Sequence, residues 1–185
     1  MPKFYSLENF SAKVTDIARP YQFRVAFSNG CFEPIANASE SVTATVRTAS
    51  LPGVTINTVP VNYFGMTYNL AGTPTYDPLT CDFIIDGEYK SLLAFRSVID
   101  KVFTYSDGPN WVAPEGYMGD VELKTHGPTT PETTHAEYKL KYAWLSNIGA
   151  ISLSQEDKDS VMKFTAQIVY SYYTTNKRWH VKLKK

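Results

Sequence analysis

The sequence predicts a mainly β protein: an antiparallel β-sandwich or barrel with one flanking α-helix and a long projecting hairpin. Three observations lead there. Several segments alternate apolar and polar residues with the period of a half-buried strand, as in Tyr21-Gln22-Phe23-Arg24-Val25-Ala26-Phe27. One stretch after Asp86 carries a clear helical stripe. A Val-, Ile-, Thr- and Tyr-rich run from Val54 to Asn69 contains Pro60 and Gly65, which a central strand does not tolerate and a projecting hairpin does.

In chain order, Leu7, Phe10, Val14 and Ile17 have helical spacing, so residues 6–17 form a short helix or arm capped by Ser6 or Ser11 and ended by Arg19-Pro20. The strand Tyr21–Phe27 follows, with Asn29-Gly30 as a hairpin turn signal. Residues 31–40 are small and polar and read as a loop, and Val42–Thr48 as a second strand. Leu51-Pro52-Gly53 breaks the chain. The hairpin comes next and closes at Ala71-Gly72-Thr73-Pro74. Leu79–Ile85 is a strand, and Asp86 caps a helix from Glu88 to Phe103 whose stripe is Leu92, Phe95, Ile99 and Val102. Residues 104–114 are polar with Gly and Pro, Tyr117–Thr125 is a strand, and 127–131 is a loop. Tyr138–Trp144, Ala150–Ser154 and Val161–Tyr173 are three further strands, with Gln155–Asp159 as the turn before the last. The whole chain, 1–185, reads as one domain with a basic extension at 174–185.

Composition narrows the function. Hydrophobic residues make up 43% and charged residues 19%, enough for a core and too apolar for a disordered chain. The 13 tyrosines suit strands and protein contacts. Lys plus Arg equals Asp plus Glu at 18 each, which argues against a dedicated nucleic-acid binder and leaves self-association unopposed by net charge. Cys31 and Cys81 are too few for a disulfide framework or a zinc site, and Cys81 sits in an apolar run as a small hydrophobe. No apolar stretch approaches the roughly 20 residues of a membrane span, and the N-terminus lacks a signal-peptide apolar core, so a cytoplasmic origin is expected.

Chemistry is sparse. His126, His135 and His180 lack metal-ligand spacing, and a set of His126, His135 and Glu137 is weaker than solvated loop histidines. No phosphate loop, dinucleotide fingerprint or nucleophile elbow occurs. Asp82 and Asp86, near Asp77, read better as a strand's polar face and a helix cap than as paired catalytic carboxylates. Glu156-Asp157-Lys158-Asp159 lacks the glycine and terminal glutamate of a calcium loop and reads as a solvated tip. In the basic tail, Trp179, Lys182 and Lys184 are candidate partner contacts, with phosphate binding and an idle solvated tail as the alternatives.

Several segments in order resemble the tail tube proteins of contractile-tailed bacteriophages. They are Ala18-Arg19-Pro20-Tyr21-Gln22-Phe23-Arg24-Val25 at the first strand, then Leu51-Pro52-Gly53, Val59-Pro60-Val61 and Asn69-Leu70-Ala71-Gly72 around the hairpin. The strand and helix from Leu79 to Val102, the element Trp144–Leu153 and the strand Phe164–Tyr173 complete the match, over residues 18–173. Leu145 departs from the family's usual proline, and residues 104–114 and the stretch after Tyr173 look like additions. The resemblance implies a structural subunit without enzymatic activity, cofactor or metal. Its hexameric rings stack into a tube through the hairpin, within a contractile sheath and on a baseplate. DNA passes the lumen without specific binding. The implied location is the virion tail, with assembly in the host cytoplasm and no membrane. On the hairpin, Val59, Pro60, Val61, Tyr63, Phe64 and Met66 are the expected subunit or ring contacts. Close relatives of this reading are a tube-initiating baseplate protein and the tube of a phage-derived injection machine. A monomeric ligand-binding β-sandwich and an unrecognised enzyme are the readings of other classes, and self-assembly separates them from a tube subunit.

Overall fold

The computed structural model describes residues 20–28, 30–104, 110–126, 134–153 and 161–176. The expected N-terminal helix, the 127–131 loop, the 155–159 turn, and Trp179, Lys182 and Lys184 lie outside those residues.

The described chain is mainly β and antiparallel throughout. Its strands are β1 (Phe23–Ser28), β2 (Val46–Ala49), β3 (Val54–Tyr63), β4 (Met66–Tyr76), β5 (Leu79–Ile84), β6 (Phe103–Thr104), β7 (Asn110–Trp111), β8 (Gly119–His126), β9 (Thr134–Ile148), β10 (Lys163–Val169) and β11 (Tyr172–Thr175). The main sheet runs β1-β8-β9-β10-β5-β2, with β11 also on β9, while β3 and β4 pair only with each other. Alternation decides what each strand buries: Leu79, Cys81 and Phe83 on β5, Val121 and Leu123 on β8, and Phe164, Ala166 and Ile168 on β10.

The sheet curls. Phe27 of β1 and Phe83 of β5 stand far apart in strand order, yet their rings lie 6.5 Å apart across the core. The bend falls at Tyr142, where φ is +54° and Lys141 and Tyr142 oppose the single residue Asp120. Beyond this bulge β9 leaves β8 and pairs with β10, Trp144 opposite Val169. Helices fill the gap between the two ends of the curled sheet: α1 (Glu33–Asn37), α2 (Ser39–Thr45) and α3 (Lys90–Val102), with α4 (Pro114–Tyr117) beside them. Phe95 of α3 is the hub, its ring 5.7 Å from Phe27, 4.7 Å from Phe83 and 5.3 Å from Phe164.

Several expectations are corrected. Asn29-Gly30 does not turn a hairpin: Gly30, at φ +61°, starts a 3₁₀ turn to Phe32, and β1 pairs with the distant β8. Residues 31–40 are not a loop but the helical crossover, held by buried Cys31, Phe32 and Ile35. The strand expected from Val42 begins only at Val46, because Val42 and Thr45 belong to α2. Helix α3 starts at Lys90, not Glu88, after a left-handed Tyr89 at φ +58°. Asp86 does not cap it and instead accepts a 3.3 Å bond from the Ser91 hydroxyl. Its buried stripe is Ser91, Leu92, Phe95 and Val98, while Ile99 and Val102 are half-buried. Residues 150–153 are not a strand, and the final strand breaks at Tyr170-Ser171 into β10 and β11.

Candidate assembly interface

The β3–β4 hairpin is the feature that the core does not explain. Each strand is 10 or 11 residues long, so the ribbon extends about 33 Å. It outruns the expected Val54–Asn69, because β4 continues through Ala71-Gly72-Thr73-Pro74 to Tyr76. Its root is pinned in two ways. The Asp77 amide donates to the Gly53 carbonyl at 3.2 Å. The Tyr76 ring then packs on the body, 5.9 Å from Tyr170 and 5.7 Å from Tyr173. The Tyr170 hydroxyl is pushed up to about 12 by burial in this cluster.

The tip is a two-residue turn with Phe64 at φ +46° and Gly65 at φ +75°. Two successive positive φ values fit the twist of a hairpin, and Asn-Gly meets them at least cost. Phe at the first position costs about 1–2 kcal/mol of backbone strain. The Phe64 ring at this tip is 87% exposed, with Tyr63 edge-on at 4.5 Å.

All six residues expected at a contact lie on this ribbon and are exposed: Val59, Pro60, Val61, Tyr63, Phe64 and Met66. The register splits them. Val61 sits opposite Tyr68 and Tyr63 opposite Met66, while Val59 faces Leu70. Pro60, one residue out of phase, faces Asn69 on the other side. Tyr68 and Leu70, at 68% and 45% exposure, share the side of Val59, Val61, Tyr63 and Met66, while Val54 and Ile56, at 48% and 60%, are exposed on the other side; all four went unnoticed in the sequence. Counting cross-strand partners back from the Phe64-Gly65 turn would have found Tyr68 and Leu70.

From Thr48 to Tyr76 the chain carries no Asp, Glu, Lys, Arg or His. Exposed ribbons with open edges are normally guarded by charge. The body behaves oppositely. On β8 and β9, Lys124 meets Glu122 at 2.8 Å and Glu137 at 3.2 Å, Lys139 meets Glu122 at 3.1 Å, and Lys141 meets Asp120 at 2.6 Å. The Lys124 ammonium, with help from Lys139, holds Glu122 below the usual carboxylate range. Glu122 and then Glu137 hold Lys124 above the usual lysine range. The charges are spent in pairs on the sheet, and the hairpin has none.

Outside the hairpin, an open apolar groove of about 570 Å³ runs between α3 and the stretch after β9, lined by Tyr89, Leu93, Arg96, Ile151, Leu153 and Met162. Asp82, a weighed catalytic candidate, accepts hydrogen bonds of 2.6 Å from both Thr48 and Thr165, which tie β2, β5 and β10 together on their outer side. Asp77 and Asp86 do not converge on it in a shared bond: Asp77 lies at the hairpin root and Asp86 at the start of α3. His126 ends β8 with its amide donated to the Gln22 carbonyl at 2.9 Å. Among the described residues no group of His, Cys, Asp and Glu is placed to hold a metal ion. No described helix is long and apolar enough to cross a membrane.

The comparisons agree with this geometry. No curated protein matches the chain. Among solved structures, it is similar to a chain of the PVC extracellular contractile injection system's sheath/tube terminator in the extended state. Identity is 10%, coverage 87% of this chain and 97% of that one, and the TM-score 0.64. A chain of the PVC sheath–tube complex in the extended state aligns at 9% identity over 92% of this chain and 97% of that one, with a TM-score of 0.62. A chain of the six-fold symmetrised anti-feeding prophage baseplate aligns at 11% identity over 86% and 95%, with a TM-score of 0.60. At such identities the likeness establishes the fold. The family model for phage tail tube proteins matches residues 15–176, nearly the whole chain. The chain therefore belongs to the phage tail tube protein family.

Proposed function

We propose that this chain is the inner tube subunit of a contractile tail, forming stacked hexameric rings around a channel and performing no catalysis. The observation that carries the reading is the long, exposed, uncharged hairpin on a tube-protein fold. Such a ribbon is an aggregation hazard in a monomer and an asset in an ordered polymer, where its edges and apolar side chains find partners. The expected contacts Val59, Pro60, Val61, Tyr63, Phe64 and Met66 all lie on it. The sheath-bound tube and the six-fold baseplate among the structural neighbours support a sheath and a baseplate as partners. The baseplate likeness also keeps open the close variant in which this chain initiates the tube, and the injection-system neighbours a tube that carries cargo other than DNA. The family supports a virion tail location, with assembly proposed in the host cytoplasm. DNA transits without specific binding: on the hairpin and on the paired β8–β9 ladder no cation stands free to grip phosphate.

Negative-stain electron microscopy of the concentrated full chain, with light-scattering mass, tests the assignment. Rings or hollow tubes are expected. Replacing Phe64 and Met66 together by Asp abolishes them and leaves a folded monomer, because both side chains are exposed and their loss costs the core nothing. Intact tubes from that variant sink the hairpin's role, and a wild-type chain that never oligomerises favours a ligand-binding module.

A further inference from the structure

The hairpin's apolar side changes faces partway along its length. Directly paired residues of an antiparallel ribbon point to one side, and successive residues point to opposite sides. At the root, the pairs Val54 with Tyr76 and Ile56 with Pro74 put the apolar residues on one side, and on that side the Tyr76 ring meets the chain's own Tyr170 and Tyr173 while Val54 and Ile56 stay exposed. The reverse side there is polar, with Asn57 donating to the Thr75 hydroxyl at 3.2 Å. The pairing shifts between Ile56 and Thr58, where Gly72 and Thr73 of β4 stand against the single residue Asn57. Only glycine fits at position 72, since a Cβ there would lie 2.9 Å from the Asn57 carbonyl oxygen. Beyond this bulge the pattern is inverted. Val59 with Leu70, Val61 with Tyr68 and Tyr63 with Met66 make the reverse side wholly apolar. The side that carries Tyr76 at the root becomes Thr58, Pro60, Asn62, Thr67, Asn69 and Ala71, with the Thr67 hydroxyl on Asn62 at 2.9 Å.

We propose that the hairpin is held by two different bodies: by its own subunit at the root, through Tyr76, and beyond the bulge by a second copy of this chain docked on the Val59–Val61–Tyr63–Met66–Tyr68–Leu70 side, leaving the Thr/Asn side wet. This rests on the tube reading and specifies which face of the hairpin is buried. The absence of charge points to a copy rather than a foreign partner. A charge on the ribbon would recur at the same height in every copy of a ring, so like charges gather as copies assemble, whereas a foreign partner can offer the opposite sign. Nucleic acid as the occupant would require cations that the ribbon lacks. The open backbone edges of β3 and β4 suit the same occupant, because each copy offers both edges in a head-to-tail contact.

Thr67 and Tyr68 are adjacent in sequence, equally far from the body and on opposite sides, so they form a matched pair of probes. The native thiols stay silent: Cys31 and Cys81 are fully buried, and burial raises them to about 11 and about 12. Thr67→Cys and Tyr68→Cys are made in the full chain and labelled with a small maleimide, as free subunits and as tubes. Both label at similar rates when free. In tubes, Tyr68→Cys slows by about tenfold or more, while Thr67→Cys stays within about twofold of its free rate. Should Tyr68→Cys fail to assemble, its cross-strand partner replaces it as Val61→Cys. Tubes with the protection reversed, or with both positions protected alike, overturn the face assignment and leave the tube reading standing. A wild-type chain that stays monomeric overturns both. Shielding of Tyr68→Cys by phosphatidylcholine vesicles without self-association overturns the proposal in favour of a membrane.

Discussion

Phe64 shows at the scale of one residue how the chain gives up stability while exposing a large ring. The turn would be less strained with Asn in its place, yet Phe keeps a large ring at the outermost point of the ribbon. Asp82 is the opposite kind of residue, a carboxylate that serves the fold. The Thr165 hydroxyl, then the Thr48 hydroxyl, hold its pKa below the ordinary aspartate value of about 4, outweighing its partial desolvation. A carboxyl whose folded pKa is depressed adds stability that is complete above the unfolded value. That stability is lost as pH falls through the folded value. Urea midpoints of the wild type should therefore drop steeply below about pH 4. The double variant Thr48→Val, Thr165→Val should start lower at pH 7 and show a shallower acid limb. An acid limb of unchanged steepness would show that Asp82 is not tuned by these hydroxyls and that Glu122, whose partners are lysines, dominates instead.

The hairpin is separable at the scale of elements. Its root is closed by the Asp77–Gly53 bond, and only Tyr76 joins the core cluster from its two strands. Replacing residues 56–74 by Asn-Gly joins the paired Thr55 and Thr75 through a two-residue turn and keeps Tyr76 in place. The shortened chain should keep its unfolding free energy, from urea titration, within about 1 kcal/mol of the wild type and form no tubes. Loss of folding would mean that the hairpin is structural, against the burial seen. The same separability explains what was legible in the sequence. Strands β1, β5, β8 and β10 alternate over one solvated face, so their period announces them, and the hairpin announces itself through Pro60 and Gly65. Residues 31–45 are short helices packed over the end of the sheet, rich in Ala, Ser and Thr and anchored by few large side chains. Phe32 and Ile35 alone do not span enough turns to reveal a helical period. The break between β10 and β11 was hidden because alternation runs through it: Tyr170 is still buried, and only then does the chain transfer from the Trp144 end of β9 to Lys141. The apolar face of the hairpin was half legible for a related reason. Alternation on β3 gives Val59, Val61 and Tyr63, and counting back from the turn gives Met66, Tyr68 and Leu70, but the phase of β4 at the root depends on a bulge that only register reveals.

The whole molecule separates its forces in space. Charge of both signs balances at 18 and 18, and on β8–β9 it is consumed in a four-residue lattice of Glu122, Lys124, Glu137 and Lys139. The ribbon proposed for assembly is free of charge and carries exposed Val, Tyr, Phe, Leu and Met side chains. Association through such a surface is driven by removing apolar area from water, which salt scarcely screens. Association through ion pairs would weaken as the Debye length contracts from about 14 Å to about 4 Å between about 50 and 500 mM salt. The critical concentration for tube formation, followed by sedimentation, should therefore change by no more than about twofold across that range of sodium chloride. Sodium sulfate at equal ionic strength should lower it, because excluded salts strengthen apolar contacts. A critical concentration that climbs tenfold with sodium chloride would place the decisive contacts on the charged sheet and move the interface from the hairpin to β8 and β9.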